Sequence, residues 1–141
     1  MSGPESLVRL HFGARADRLR MVRCVVQGAA EISGCARSQA DELVLAVNEA
    51  CMNIIEHAYG GDDTGGIVLE IVADGDRLLF RLTDFAPPVD PDKVQPRDLD
   101  DLRPGGLGVH FIREVMDSAR FVDPPAGAGN LLEMTKTIRR R

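Results

Sequence analysis

The chain has 141 residues, 44% of them hydrophobic and 28% charged, with 22 acidic against 17 basic side chains and a net charge of −5. A chain of this length buries roughly two-thirds of its unfolded surface, enough for one core without metal or disulfide staples. The acidic balance argues against a nucleic-acid binder, whose affinity rests on basic contacts to phosphate, and no apolar run approaches the ~18 residues of a membrane helix.

The opening Met1-Ser2-Gly3-Pro4-Glu5 lacks the basic-then-apolar form of a signal peptide, which predicts a cytoplasmic protein. Leu7 to Phe12 alternates as a short strand closed by Gly13. From Arg15 to Ile32, Leu19, Val22, Val26, Ala29 and Ala30 recur at helical spacing, and Gly34 reads as the helix stop. A second helix is predicted from Ser38 to Ala58, with Ser38 as N-cap, Asp41 and Glu42 at the positive end of the dipole, and Leu43, Val47, Cys51 (or Ala50), Ile54 and Ala58 as its buried stripe. Gly66 to Ala73 and Arg77 to Phe85 are β-rich around the hairpin turn Asp74-Gly75-Asp76.

Ala86 to Gly108 holds five prolines and little periodicity, and connections this long are usually lids or binding loops. A short helix follows from Leu107 to Met116, and Ala119 to Val122 with Leu131 to Ile138 form a closing hairpin around Pro124 to Gly129. Arg139-Arg140-Arg141 reads as a solvated terminus. Cys24, Cys35 and Cys51 form no CxxC pair and are expected to be reduced, packed thiols. The order β-α-α-β-β-loop-α-β-β predicts an α+β two-layer sandwich, a mixed and mostly antiparallel sheet with helices on one face, in one domain spanning 1–141.

Three places carry chemistry. In Asn48-Glu49-Ala50-Cys51-Met52-Asn53, Glu49 and Asn53 share one helix face about 6 Å apart along the axis; there a carboxylate takes a proton and a carboxamide binds a hard cation, or both merely face water. His57 extends that face and reads equally as a structural hydrogen-bonder. Asp84 sits where an apolar strand empties into the long loop, placed either to accept a hydrogen bond from an exocyclic amine or to start a turn. Gly105, Gly106 and Gly108 precede an amphipathic helix, a pattern that brings backbone N–H groups onto phosphate and that also serves as a hinge.

Taken together, the helix with Glu49-x-x-x-Asn53, the strand-end Asp84 opening a lid, and Gly105-Gly106-Leu107-Gly108 before a short helix resemble the GHKL ATP-binding fold. Asn48 to Tyr59, Asp84 to Pro91 and the C-terminal Gly129 to Lys136 resemble its branch of bacterial anti-sigma-factor serine/threonine kinases. That resemblance implies that Asn53 binds the Mg²⁺ bridging the ATP phosphates, that Glu49 is the general base for the incoming hydroxyl, and that Asp84 hydrogen-bonds the adenine amine. It further places Ala86, Gly105, Gly106, Leu107, Gly108 and Thr135 among the nucleotide contacts. The implied phosphate acceptor is a serine or threonine on a STAS-domain antagonist, with a sigma factor as the alternating partner and a homodimer as the assembly; a direct nucleic-acid or membrane partner is not implied.

Two positions depart from the pattern. Ala86 stands where the superfamily usually has the glycine of Asp-x-Gly, so its methyl is expected to crowd the adenine pocket or cost backbone freedom. This supports the alternative of a weakly catalytic partner-switch module; a kinase regulating a non-sigma target is a further alternative. Glu56 replaces a basic phosphate contact common in histidine-kinase relatives, which argues against a histidine-kinase module. Within the lid, Asp90, Asp92, Asp98, Asp100 and Asp101 would repel ATP if folded inward, so they are expected to face solvent or a partner.

Overall fold

The computed structural model describes residues 3–88 and 107–139. Strand β1 (Glu5–Gly13) leads through a 3₁₀ turn (Ala16–Arg18) into helices α1 (Leu19–Ile32) and α2 (Arg37–Asn53), and a single π turn (Ile54–Ala58) continues α2. Strands β2 (Gly66–Asp74) and β3 (Arg77–Asp84), helix α3 (Leu107–Val115), and strands β4 (Ser118–Val122) and β5 (Asn130–Thr137) complete the order. The sheet runs β1-β2-β3-β5-β4. Every pairing is antiparallel, so the predicted mixed character is absent from the described strands. The expected lid falls almost entirely on 89–106, outside the described residues, and so do its five outer aspartates together with Gly105 and Gly106.

Period-2 alternation decides which sheet face meets the helices. Leu78, Phe80 and Leu82 of β3, Ile67, Leu69 and Ile71 of β2, and Leu132 and Met134 of β5 are all buried against the helix layer. The helices answer with Leu19, Val22, Val26, Ala29 and Ala30 of α1, the predicted stripe, and with Leu43, Ala46, Val47, Ala50 and Cys51 of α2. Each fully buried Leu or Ile in such a layer contributes about 1.5–3 kcal/mol of hydrophobic stabilisation. On the opposite face, register places Arg9, Glu70, Arg81, Glu133 and Arg120 as successive cross-strand neighbours. Arg81 pairs with Glu133 at 2.9 Å and with Glu70 at 3.8 Å. Opposite charges on adjacent strands contribute roughly 0.2–1 kcal/mol each and penalise a one-residue slip.

Several local expectations shift. The first helix begins with a 3₁₀ turn because Arg18 N–H bonds the Arg15 carbonyl and Asp17 is held between both arginines. It ends in a Schellman motif: Gly34 (φ 80) donates to the Glu31 carbonyl while Cys35 donates to that of Ala30. Helix α2 starts at Arg37, and Ser38 is not its cap; Ala36 takes the N-cap position, its N–H held by the Arg139 carbonyl. This tertiary bond anchors the start of the helix but satisfies the N–H of Ala36, not the first helical amides that a serine cap would serve. Arg139 is exposed, as expected of a solvated terminus, but its backbone is anchored. Its N–H donates to Gln39 Oε1 at 2.6 Å, and Gln39 Nε2 donates to the Thr137 carbonyl at 3.1 Å. The fully buried Gln39 thus clips the exit of β5 to the start of α2. Of the three cysteines, Cys35 and Cys51 are packed but Cys24 is exposed, since it falls on the solvent side of α1.

Candidate functional site

Helix α2 delivers Glu49 and Asn53 one turn apart in its last two turns. Glu49 is half-buried, while Asn53 is 5% exposed, a carboxamide carried into the layer between helix and sheet by Ala50, Cys51 and Ile54 around it. Immediately after Asn53 the backbone widens into the π turn, with Tyr59 N–H bonding the Ile54 carbonyl at 3.0 Å. Isolated π turns inside α-helices recur at functional sites, because the extra residue re-aims everything after it. His57 and Glu56 lie on this turn and are exposed, so neither joins the buried group.

Asp84 ends β3 on the helix side of the sheet and is 2% exposed. Its neighbour across β5 is Asn130, and the Asn130 amide donates to Asp84 Oδ1 at 3.0 Å. Ala86 N–H donates to the same oxygen at 3.1 Å. Among the described residues, Oδ2 accepts no hydrogen bond and remains available to an outside donor. Burial pushes the Asp84 carboxyl above its ordinary range, and the bonds from Asn130 and Ala86 partly offset that. Among the described residues, the groups that offset the burial of this carboxylate are the Asn130 amide and the Ala86 N–H. Gly129 N–H donates to the Asp84 carbonyl at 2.8 Å, and a Cβ at Gly129 would run into the Ala86 carbonyl oxygen. Only glycine permits this approach. Ala86 itself has no positive φ, so the expected backbone cost is not incurred; its residue is 3% exposed and packed in place.

The α2 end and Asp84 are brought to one end of the molecule. Tyr59, six residues beyond Asn53, accepts a hydrogen bond from Phe85 N–H, next to Asp84, at 2.8 Å. Leu107 and Gly108 open α3, which packs on α2. Thr135 is not brought here. It lies five residues along β5 from Asn130, about 17 Å at strand rise, and on the other sheet face, where its hydroxyl meets Ser118 at 2.6 Å. The strand residue beside Asp84 is Asn130, which sequence reasoning placed only within a matching segment. Its signal was the Gly129-Asn130 step at the mouth of the last strand. Tyr59 was likewise missed, although it is the only tyrosine in the chain.

Chemically, the group offers an acceptor oxygen in a dry setting, suited to an exocyclic amine, and a carboxamide one turn from a carboxylate, suited to a hard cation beside a proton acceptor. Among the described residues no cluster of three or more His, Cys, Asp or Glu side chains could hold a metal by itself. A cation at Asn53 would therefore draw further ligands from a bound phosphate or water, which is magnesium's habit. The residues present fit ATP and Mg²⁺ on these grounds.

A family model for the histidine kinase-like ATPase domain matches residues 12–136, and the chain belongs to that family. Among named relatives, the serine-protein kinase RsbW of Bacillus pumilus is 28% identical, with 99% of this chain and 91% of the relative aligned. The serine-protein kinase RsbW of Halalkalibacterium halodurans is 29% identical over 97% of this chain and 86% of the relative. Among solved structures, the RsbU and RsbW domains of Rv1364c from Mycobacterium tuberculosis match with TM-score 0.63 and 22% identity over 95% of this chain, which spans 33% of that longer chain. A chain of the SiaB–SiaC complex from Pseudomonas aeruginosa matches with TM-score 0.62 and 13% identity, covering 94% and 91%. The antiparallel α+β architecture is thus that of GHKL ATPase domains, and the sequence likeness runs to serine-protein kinases over nearly the full chain. No helix among the described residues is long and apolar enough to cross a membrane.

Proposed function

We propose that this chain is an ATP-dependent serine/threonine-protein kinase of the partner-switching type, phosphorylating a STAS-domain antagonist in the cytoplasm and, through the same surface, sequestering a sigma factor. One observation supports the nucleotide half above all: Asp84 is buried with Oδ1 saturated by Asn130 and Ala86 and Oδ2 left to accept. A carboxylate so arranged accepts from the adenine amine and repels the carbonyl that guanine or hypoxanthine presents at the same place. The near-full-length likeness to serine-protein kinases supports the choice of a hydroxyl acceptor.

Each residue then has a task. Asp84 orients the base, and Asn53 offers its carboxamide oxygen to the metal. Glu49, half-exposed one turn back, receives the proton of the incoming hydroxyl. Gly105, Gly106 and the first amides of α3 at Leu107 and Gly108 wrap the phosphates with the helix dipole assisting. Magnesium, when bound, supplies charge neutralisation at the phosphate oxygens. Phosphoryl transfer asks for little beyond such positioning and electrostatics, and a closing lid keeps water from the transferred group. The test is transfer of labelled phosphate from ATP to a purified STAS partner, with calorimetry of Mg–ATP binding alongside. Transfer at serine or threonine supports the reading; absence of both binding and transfer at millimolar ATP sinks it.

A further inference from the structure

At the mouth of the site the β2–β3 ladder stops abruptly. Its last matched pair is Ile67 with Asp84, so antiparallel register would next set Gly66 opposite Phe85. Between those two backbones stands the Tyr59 hydroxyl. It donates to the Gly66 carbonyl at 2.6 Å and accepts from Phe85 N–H at 2.8 Å. One O–H thus occupies the place of the next rung: the two main-chain groups are satisfied, but through a side chain that holds the strands apart.

The local chain is built to put it there. The π turn over Ile54–Ala58 takes up one residue more than an α-turn, which rotates the following residue by roughly 100° relative to an uninterrupted helix. The Tyr59 ring lies flat against Gly65, where any Cβ would strike it. Burial pushes the Tyr59 phenol up, with the neighbouring Asp84 charge in the same direction, so the hydroxyl stays protonated and able to donate.

We infer that Tyr59 is a positioning residue for nucleotide selection: its hydroxyl ends the β2–β3 ladder at Asp84, aims the carboxylate, and ties the base-recognising strand end to the helix that carries Glu49 and Asn53. This rests on the nucleotide reading above and adds the element that sets its selectivity. Asp84 sits between two clamps, Asn130 with Ala86 on its side chain and Tyr59 on the next peptide. Releasing the second lets the carboxylate swing, and selectivity for an amine over a carbonyl depends on its direction.

The experiment compares ATP with inosine triphosphate, whose base carries a carbonyl in place of the exocyclic amine and a proton on the adjacent ring nitrogen, in calorimetric titrations of the full chain, together with amide hydrogen exchange at Phe85. The unaltered protein is expected to prefer ATP by roughly tenfold or more, the worth of one hydrogen bond to a charged acceptor. Tyr59→Phe keeps the ring, and Gly65→Ala displaces it while keeping the hydroxyl. Both are expected to speed exchange of the Phe85 amide and to bring the preference down to about twofold or less, a loss of most of that hydrogen bond's worth. Gln39→Ala, at the far end of the sheet, serves as a destabilised control that keeps the preference. If either variant exposes the Phe85 amide yet keeps the full preference, or if the amide exchanges freely in the unaltered protein, the positioning role is overturned. Failure of the unaltered protein to bind ATP overturns the nucleotide reading as well, so the two failures are distinct.

Discussion

Replacing Asp84 by asparagine separates stability from function. The side chain is 2% exposed, and both of its hydrogen bonds, from Asn130 and Ala86, land on Oδ1. An asparagine oxygen accepts the same two bonds, exchanging charge-assisted for neutral ones at a loss of about 1 kcal/mol, whereas removing a buried carboxylate that no cation among the described residues faces relieves about 1–3 kcal/mol. The variant without nucleotide is therefore expected to be as stable as the parent or up to about 2 kcal/mol more stable, each kcal/mol raising Tm by about 3 °C. ATP binding moves the other way. Losing a charged acceptor, with an amide N–H₂ now facing the adenine amine, costs about 1.5–3 kcal/mol, or roughly 10–150-fold in affinity.

The pH dependence has a definite sign. Burial raises the Asp84 pKa in the folded state. Its stabilising contribution is therefore complete below the unfolded value near ~4 and is lost as pH rises through the raised folded value. Asp84→Asn removes that slope, so its advantage grows with pH over this window. ATP affinity of the parent needs the ionised form and falls as pH drops through the same folded value. Thermal melts across pH and calorimetry with ATP read both effects. A variant with a lower nucleotide-free Tm, or one that binds ATP like the parent, refutes the reasoning.

Glu49→Ala is expected to abolish transfer to a STAS partner while sparing ATP binding, whereas Asn53→Ala weakens Mg–ATP binding itself; normal turnover by the Glu49 variant would remove it from the general-base role. Gly129→Ala forces a methyl against the Ala86 carbonyl and so displaces the Asp84 clamp, with ATP affinity expected to fall at least about tenfold in the same titrations. Gln39→Ala strips partners from Arg139 N–H and the Thr137 carbonyl in a fully buried position. It is expected to cost about 2–4 kcal/mol in urea unfolding, and a loss below about 0.5 kcal/mol would mean water takes over the clip.

Much of the fold was legible residue by residue. The α1 stripe of Leu19, Val22, Val26, Ala29 and Ala30 is buried as spaced, Gly34 takes the left-handed stop, and Gly75 (φ 60) turns the β2–β3 hairpin. These are short-range matters of periodicity and φ, written in a few consecutive residues. The errors also share a cause. Ser38 is not the cap because the helix starts at Arg37, where Arg139, far along the chain, anchors Ala36. Thr135 was set at the site because it belongs to a matching segment, yet strand parity turns it to the other face and puts Asn130 beside Asp84. The π turn was not read from the sequence: its Tyr59 N–H to Ile54 carbonyl bond is local, but the Tyr59 hydroxyl is anchored on Gly66 and Phe85 of other elements.

The amino-acid order by itself determined the elements, their sequence along the chain, and the residue types able to do chemistry at Glu49, Asn53 and Asp84. Those follow from local backbone preference and from hydrophobic periods of 3.6 and 2. Which strands adjoin is a separate matter. The order β1-β2-β3-β5-β4 sets Arg9, Glu70, Arg81, Glu133 and Arg120 in one row, brings Asn130 onto a carboxylate 46 residues away, and lets Tyr59 close the β2–β3 ladder. A local signal such as the Gly129-Asn130 step marks a residue but does not name the partner it meets. Pairing register is chosen by the burial of a whole sheet face at once, and only the folded chain sums that energy.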